Sequence, residues 1–411
     1  MKKLTFLFII SLILLPCVFA QDDDPFDEEV RTSFGIPDRK FEIGFSASVD
    51  VSNDFLSIGD ILQSTLVLDI DRLADGFRMN LGANVRPFYF NINAGTWGFG
   101  LSTAVDAYGI LNLSGEMLSF NVVSGEKSDV SGAVFASASI NTFFHIERFK
   151  LKVSPSIFYA AAYATPGNIT YTLANNSNGT STIVLGYDMY VYTPFSMEKF
   201  KDGNFCLTGT PGFDVSVGLE YPLSRAIGIT DVLPFLDMDV GLDFINIPII
   251  ASTLTDYMLV SGGVEKYDFN IFDEIEDLMK EFGNLDPDTE YGNASQALDR
   301  PFKMLAWLNW RPLLGSRLLT INPVVGFSVN HLYSDVFAFE GGINACLNLA
   351  NLLRVSAGVN YLDRLWVNSI DIALNLRAIE LNLGASLRSP DFLASWAAAG
   401  LGINLGLKIG W

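Results

Sequence analysis

Alternation of large apolar and small polar residues is the feature that most limits how this chain can fold. The last twelve residues, GLGINLGLKIGW, carry an apolar side chain at every second position. The same period of two recurs in segments that begin at Phe41, Phe77, Trp97, Phe213, Leu236, Leu353 and Asp371. Successive side chains of a strand point to opposite faces, so this pattern predicts a chain built almost entirely of strands.

The polar phase of these strands separates a membrane barrel from a secreted β-sandwich, which would also alternate. It is mostly Gly, Ser, Asn and Asp, whereas the apolar phase is almost free of charge. Many segments have about 9 to 11 residues, the length that crosses a bilayer at a tilt. Aromatic residues gather near segment ends, as at 88–90, 143–144 and 307–310, where membrane interfaces would lie. The pattern predicts an all-β, closed antiparallel transmembrane β-barrel of about 14–18 strands.

Composition limits the function classes. Hydrophobic residues make up 49% of the 411 residues and charged residues only 18%. The net charge of −20 argues against binding to nucleic acid. The two histidines, His145 and His331, are far apart and lack the spacing of metal ligands or of a catalytic triad. We therefore predict a protein that is not an enzyme and that has no metal or other cofactor.

The chain begins with a targeting signal. Residues 1–20 hold two lysines, an apolar run and Ala20 at the cut, which predicts a cleaved secretory signal peptide. Residues 21–40 are acidic and contain two prolines, and they form either a disordered leader or a short plug. Residues 41–411 form the barrel, with a short helix at 272–283 inside a long loop at about 250–300. Whether Cys206 and Cys346 pair is left open.

A family resemblance rests on the end of the chain. The residues that carry it are Leu401, Ile403, Leu405, Leu407, Ile409 and the terminal Trp411. With these residues the chain resembles Gram-negative outer-membrane β-barrel proteins, in which such an ending resembles the signal read by the barrel-assembly machinery. The resemblance implies a place in the bacterial outer membrane, with its lipid and that machinery as partners. Two types within the class remain open, porins and long-chain fatty-acid transporters.

Charged residues in the inward phase are the candidates for lining the lumen. They are Asp50, Asp69, Asp71, Arg78, Arg86, Asp106, Asp214, Glu220, Asp237, Asp239, Asp243, Arg354, Asp371, Arg377 and Glu380. Rings of acid in a water-filled pore favour cations, and facing acidic and basic rows create a transverse field. The alternative is that these residues only pair across the lumen wall.

Three functions are compatible with these patterns, each as a monomer or a homo-oligomer. The main prediction is a channel for passive passage of small polar solutes, because the inward phase is rich in Gly, Ser, Asn and Asp. The first alternative is an occluded barrel that transports fatty acids or other hydrophobic compounds, with the leader and helix 272–283 in its lumen. The second alternative is a structural or adhesive surface barrel whose long loops bind other proteins.

Overall fold

The computed structural model describes residues 39–54, 76–113, 128–146, 149–175, 181–196, 199, 207–228, 233–269, 288–313, 318–333, 335–350, 352–397 and 399–410. The predicted signal peptide and residues 21–38 of the leader lie outside these ranges. So do Asp69, Asp71, Cys206, Trp411 and the predicted helix at 272–283.

Strands account for most of the described residues, as the alternation predicts. Their bounds are β1 (Phe41–Asn53), β2 (Phe77–Asn93), β3 (Trp97–Leu113), β4 (Ser128–Ile146), β5 (Phe149–Asn175), β6 (Ser181–Thr193), β7 (Gly212–Tyr221), β8 (Asp237–Ile250), β9 (Ser252–Phe269), β10 (Asp288–Leu298), β11 (Phe302–Arg311), β12 (Leu319–Val329), β13 (Phe337–Leu349), β14 (Leu353–Leu362), β15 (Leu365–Asn375), β16 (Ile379–Ser389) and β17 (Gly400–Gly410). Two short helices are α1 (Leu223–Ala226) and α2 (Phe392–Trp396). Among the described residues, no helix is both long enough and apolar enough to cross a bilayer.

Fourteen strands close into one antiparallel barrel. The ring runs through β1 to β5, then β7, β8 and β11, and then β12 to β17. It closes where β1 pairs with β17, in a register that runs from Glu42↔Gly410 to Ser52↔Gly400. Closure pairs the backbone groups that a membrane would otherwise leave without partners. The prediction of a closed barrel of 14–18 strands is confirmed.

The other three strands extend the wall at one end of the barrel. The first half of β5 pairs with β7, whereas its second half pairs with β6. Strand β6 then pairs with β9, and β9 with β10. The prediction of a long loop at about 250–300 is therefore wrong for much of this range, because β9 and β10 lie within it. The strand alternation continues there, with Leu254, Met258 and Val260 buried.

The two ends of the barrel differ in their connections. At the short-turn end lie residues 94–96 and 376–378, the end of β13 and the start of β14, together with the start of β1 and the end of β17. At the long-loop end lie the connections between β1 and β2, between β3 and β4, and between β9 and β10. Short turns face the periplasm in bacterial barrels, and long loops face outward.

The outer surface is apolar, as a membrane requires. On β17, Ile403 is 63% exposed, while Gly402 and Lys408 of the opposite phase are buried. Exposed Phe88 and Trp97 lie near the short-turn end and fit an interfacial aromatic belt. Trp307, expected in such a belt, instead faces inward and is buried. The prediction is wrong for Trp307, because this residue lies in the middle of β11 and in its buried phase.

Candidate functional site

Several predicted lumen residues are paired inside the barrel. Asp50 Oδ1 lies 3.1 Å from Arg388 Nη1, and Arg354 Nη2 donates to Glu380 Oε1 at 2.7 Å. Arg39, just before β1, approaches the other oxygen of Glu380 at 3.8 Å. Because the Glu380 side chain has no exposed surface, its charge depends on these partners.

A second group of ion pairs lies on the opposite part of the barrel wall, on β5, β7, β8 and β11. Arg311 of β11 lies 3.3 Å from Asp237 and hydrogen-bonds Asp239 on the adjacent β8. Lys150 at the start of β5 lies 3.6 Å from Glu220 of β7. Each pair joins two neighbouring strands, so it stabilises the barrel wall and also neutralises charge on its inner face.

Other acidic residues accept hydrogen bonds from neutral donors. The Asp243 carboxylate accepts from Trp307 Nε1 at 2.6 Å, and Asp371 accepts from the Asn404 amide at 2.9 Å. Asp106 accepts from the side chain of an asparagine on β2. Buried polar groups need such partners, and much of the predicted lining forms a packed polar network.

The remaining predicted residues have separate positions. Arg86 lines a cavity described below, and Arg78 is half-buried near the start of β2. Arg377 does not lie on a strand: it is exposed in the tight turn between β15 and β16, where its φ is 68°. The lumen prediction for Arg377 is corrected, because β15 ends two residues earlier.

A cavity of about 450 Å³ lies in the lumen near the short-turn end. We call it the lower chamber. Strands β2 to β5, β7 and β8 supply most of its wall, and serine and asparagine side chains such as Ser139, Asn141 and Ser154 are frequent there. This volume is in the range of small-molecule sites.

Basic side chains outnumber acidic ones on the wall of the lower chamber. The basic residues are Arg39, Arg86, Lys150, Lys152, Arg300 and Lys408, and the acidic ones are Glu42 and Asp243. The sign of this local charge is opposite to the net charge of −20 of the whole chain.

The lumen becomes apolar toward the long-loop end. We call this region the upper cluster; its buried members are Ala133, Phe135, Phe158, Ala160, Tyr163, Leu254, Leu298 and Leu332. Aromatic rings of Phe135 and Phe158 meet edge to face at a centroid distance of 6.1 Å. Phe158 and Phe135 are each 1% exposed, so the packing here is as tight as in a protein core.

Arg300 separates the upper cluster from the lower chamber. Its guanidinium donates to both oxygens of Asp214 at 2.8 Å, and its centre lies 5.4 Å from the ring of Phe158. A bidentate pair of this kind fixes both position and orientation. Arg300 therefore presents charge to the chamber and its flat face to the apolar ring.

Residues 330–333, which follow β12, enter the lumen from the long-loop end. Leu332 is 3% exposed, and its carbonyl accepts from Ser131 Oγ of β4 at 2.9 Å. The Leu332 amide donates to Asn330 Oδ1 at 3.0 Å. The Tyr333 hydroxyl donates to the Asp363 carbonyl at 3.2 Å, and burial, followed by the Asp363 charge, raises the pKa of this hydroxyl.

Sequence reasoning missed some of these residues for different reasons. Arg388 and Lys408 lie in the inward, buried phase of clear alternating segments, so the same rule would have found them. Arg300 and Leu332 lie in connections between strands, where alternation carries no information about direction. Cys346 is buried and forms no disulfide among the described residues, and Cys206 lies outside them, so whether the two pair stays open.

Comparisons with known proteins bear on the fold. The crystal structure of the toluene transporter TbuX of Ralstonia pickettii superposes with a TM-score of 0.50 at 8% identity, covering 91% of this chain and 90% of that one. The chain has the barrel fold of this transporter. The resemblance to outer-membrane β-barrels is thus confirmed for the fold.

Two further solved structures are similar at lower scores. The toluene transporter TodX of P. putida has a TM-score of 0.48 at 10% identity, with 92% and 91% of the two chains covered. A Pseudomonas aeruginosa FadL homologue has a TM-score of 0.43 at 11% identity, with 91% and 90% covered. No family model matches the chain, and no curated protein matches it.

Proposed function

We propose that this protein is a bacterial outer-membrane barrel that carries small hydrophobic compounds through an occluded lumen. The observation that carries the proposal is the upper cluster, because it places buried apolar side chains across the route into the barrel. A compound without charge or hydrogen-bonding groups can pass such a region without giving up hydrogen bonds to water. The fold shared with TbuX, whose name describes a toluene transporter, supports the same class of cargo.

A passive channel for small polar solutes is less well supported. The polar lower chamber would suit such solutes. A hydrated solute would also have to cross the upper cluster, where Leu254 and Ala160 have no exposed surface and Leu298 is 4% exposed. Loss of hydration without new hydrogen bonds is costly in such surroundings.

Other parts of the prediction are retained as proposals. The acidic leader, residues 21–40, is proposed as a short plug, since Arg39 at its end is buried and donates to Asn375 at 2.9 Å. The barrel-assembly machinery is proposed to read the C-terminal strand, whose residues from Leu401 to Ile409 alternate outward. Cleavage after Ala20, self-association and binding of other proteins by the long loops also remain proposals.

Uptake by whole cells tests the transport proposal. Cells with an intact lipopolysaccharide leaflet, with or without the protein, are given radiolabelled toluene, and the initial rate of entry is measured. We expect the protein to raise the rate, and Phe158→Asp to abolish the increase because it places a charge in the upper cluster. Heat-dependent mobility on gels verifies that the variant folds. Equal rates with and without the wild-type protein would refute the proposal.

A further inference from the structure

The upper cluster is built from two kinds of backbone. Its members Ala133, Phe135 and Phe158 lie on strands that pair with a neighbouring strand on each side. Leu332 lies in the connection between β12 and β13. Segments with few backbone hydrogen bonds open at the lowest cost in free energy. Movement of Leu332 is therefore expected to open the cluster at the lowest cost in free energy.

The connection is held from two opposite sides of the lumen. On one side, Ser131 of β4 donates to the carbonyl of Leu332. On the other side, Arg364 lies in the turn between β14 and β15 and donates to the carbonyls of Asp335 and Phe337. Its guanidinium also lies 4.7 Å from the centre of the Tyr333 ring. The segment thus spans the barrel between β4 and the β14–β15 turn.

The turn that carries Arg364 is itself fixed. Asp363 and Arg364 have φ values of 47° and 68°, the left-handed conformation that a two-residue hairpin of this type needs at both positions. The Asp363 amide donates to both oxygens of Glu340 at 3.2 Å, and its carboxylate accepts from Lys303 at 2.7 Å. Arg364 is therefore held in place to contact the connection.

We propose that residues 330–333 are a movable crossbar, with Leu332 as the residue that excludes hydrated solutes and Arg364 as the positioning residue that holds it closed. The crossbar closes the apolar route when Arg364 is engaged. Its release opens a path from the long-loop end to the lower chamber. The use of that path by hydrophobic cargo rests on the proposed function, whereas the movement itself does not.

Cysteine labelling tests the position and release of the crossbar. In a background with Cys206→Ser and Cys346→Ala, Leu332→Cys is exposed to a membrane-impermeant maleimide on intact cells. Asp335→Cys is the positive control, because the Asp335 side chain is 90% exposed in the same connection. We expect Leu332→Cys to react slowly. Addition of Arg364→Ala should speed it about tenfold, because hydrogen bonds from a charged donor are lost.

Arg377→Ala is the matched control for Arg364→Ala. Arg377 has the same φ of 68° in a tight turn, but that turn is at the other end of the barrel. It should leave the labelling of Leu332→Cys unchanged. Labelling of Leu332→Cys as fast as that of Asp335→Cys, or no response to Arg364→Ala in a barrel that folds, would overturn the proposal.

Ion conductance in planar bilayers separates this inference from the transport proposal. Leu332→Gly combined with Arg364→Ala should raise the conductance in potassium chloride above that of the wild type, while Leu332→Phe should not. A raised conductance of the double variant, together with no toluene uptake by the wild type, would refute the proposed transport of hydrophobic compounds. It would still support the crossbar. Unchanged conductance in the double variant would refute Leu332 as the excluding residue.

Discussion

Asp214 and Arg300 show how single residues organise the lumen. They are far apart in sequence, both are buried, and two hydrogen bonds of 2.8 Å join them. Alternation predicted that Asp214 faces inward, since it lies on a regular strand. The partner was not predictable, because Arg300 follows β10 in a connection and meets Asp214 only when the wall closes.

Loss of one member of this pair should destabilise the barrel strongly. Asp214→Ala leaves the Arg300 charge buried without its main partner, and we expect the free energy of unfolding to fall by about 3–5 kcal/mol. The double variant Asp214→Leu with Arg300→Met should recover most of that loss, since no buried charge remains. Urea unfolding in detergent micelles measures both values. Equal losses in the single and double variants would contradict a buried, mutually dependent pair.

At the scale of strands, the period of two determined most of what could be predicted. It placed outward and inward residues correctly on β1, β16 and β17, where large and small residues alternate without interruption. It failed to recognise β9 and β10 as strands, because Asp256 falls in the apolar phase of β9 and because β10 has few apolar residues. Pairing β5 with both β7 and β6 depends on long-range contacts that no local pattern encodes.

The apolar phase of β16 gives a depth-dependent prediction. Leu383 is 58% exposed at the middle of the strand, and Ile379 is 41% exposed at its short-turn end. Leu383→Lys should cost about 2–4 kcal/mol of stability in a bilayer, and Ile379→Lys about 0–1 kcal/mol, since lysine is most unfavourable at the midplane. Reversible unfolding from phospholipid vesicles measures both. Similar costs at the two positions would show that β16 does not cross hydrocarbon at this register.

At the scale of the whole molecule, closure of the sheet was predictable, and an occluded barrel was foreseen only as an alternative, without the residues of the upper cluster. Strong alternation and a C-terminal strand with one apolar face required a sheet without free edges, and β1 pairs with β17 accordingly. The main prediction was a water-filled pore, because small and polar residues such as Gly, Ser, Asn and Asp are frequent in the inward phase. The structure instead packs Leu332, which lies in a connection, against Phe135 and Phe158 of the adjacent strands β4 and β5, and the sequence does not reveal this long-range contact.

Swelling of proteoliposomes in isotonic arabinose tests the proposed occlusion directly. Vesicles that contain the purified wild-type protein are diluted into the sugar, and the fall in light scattering gives the rate of entry. Under the proposal that the upper cluster excludes hydrated solutes, we predict a rate equal to that of protein-free vesicles. Rapid swelling that slows as the sugar becomes larger would show an open aqueous pore and would contradict the account.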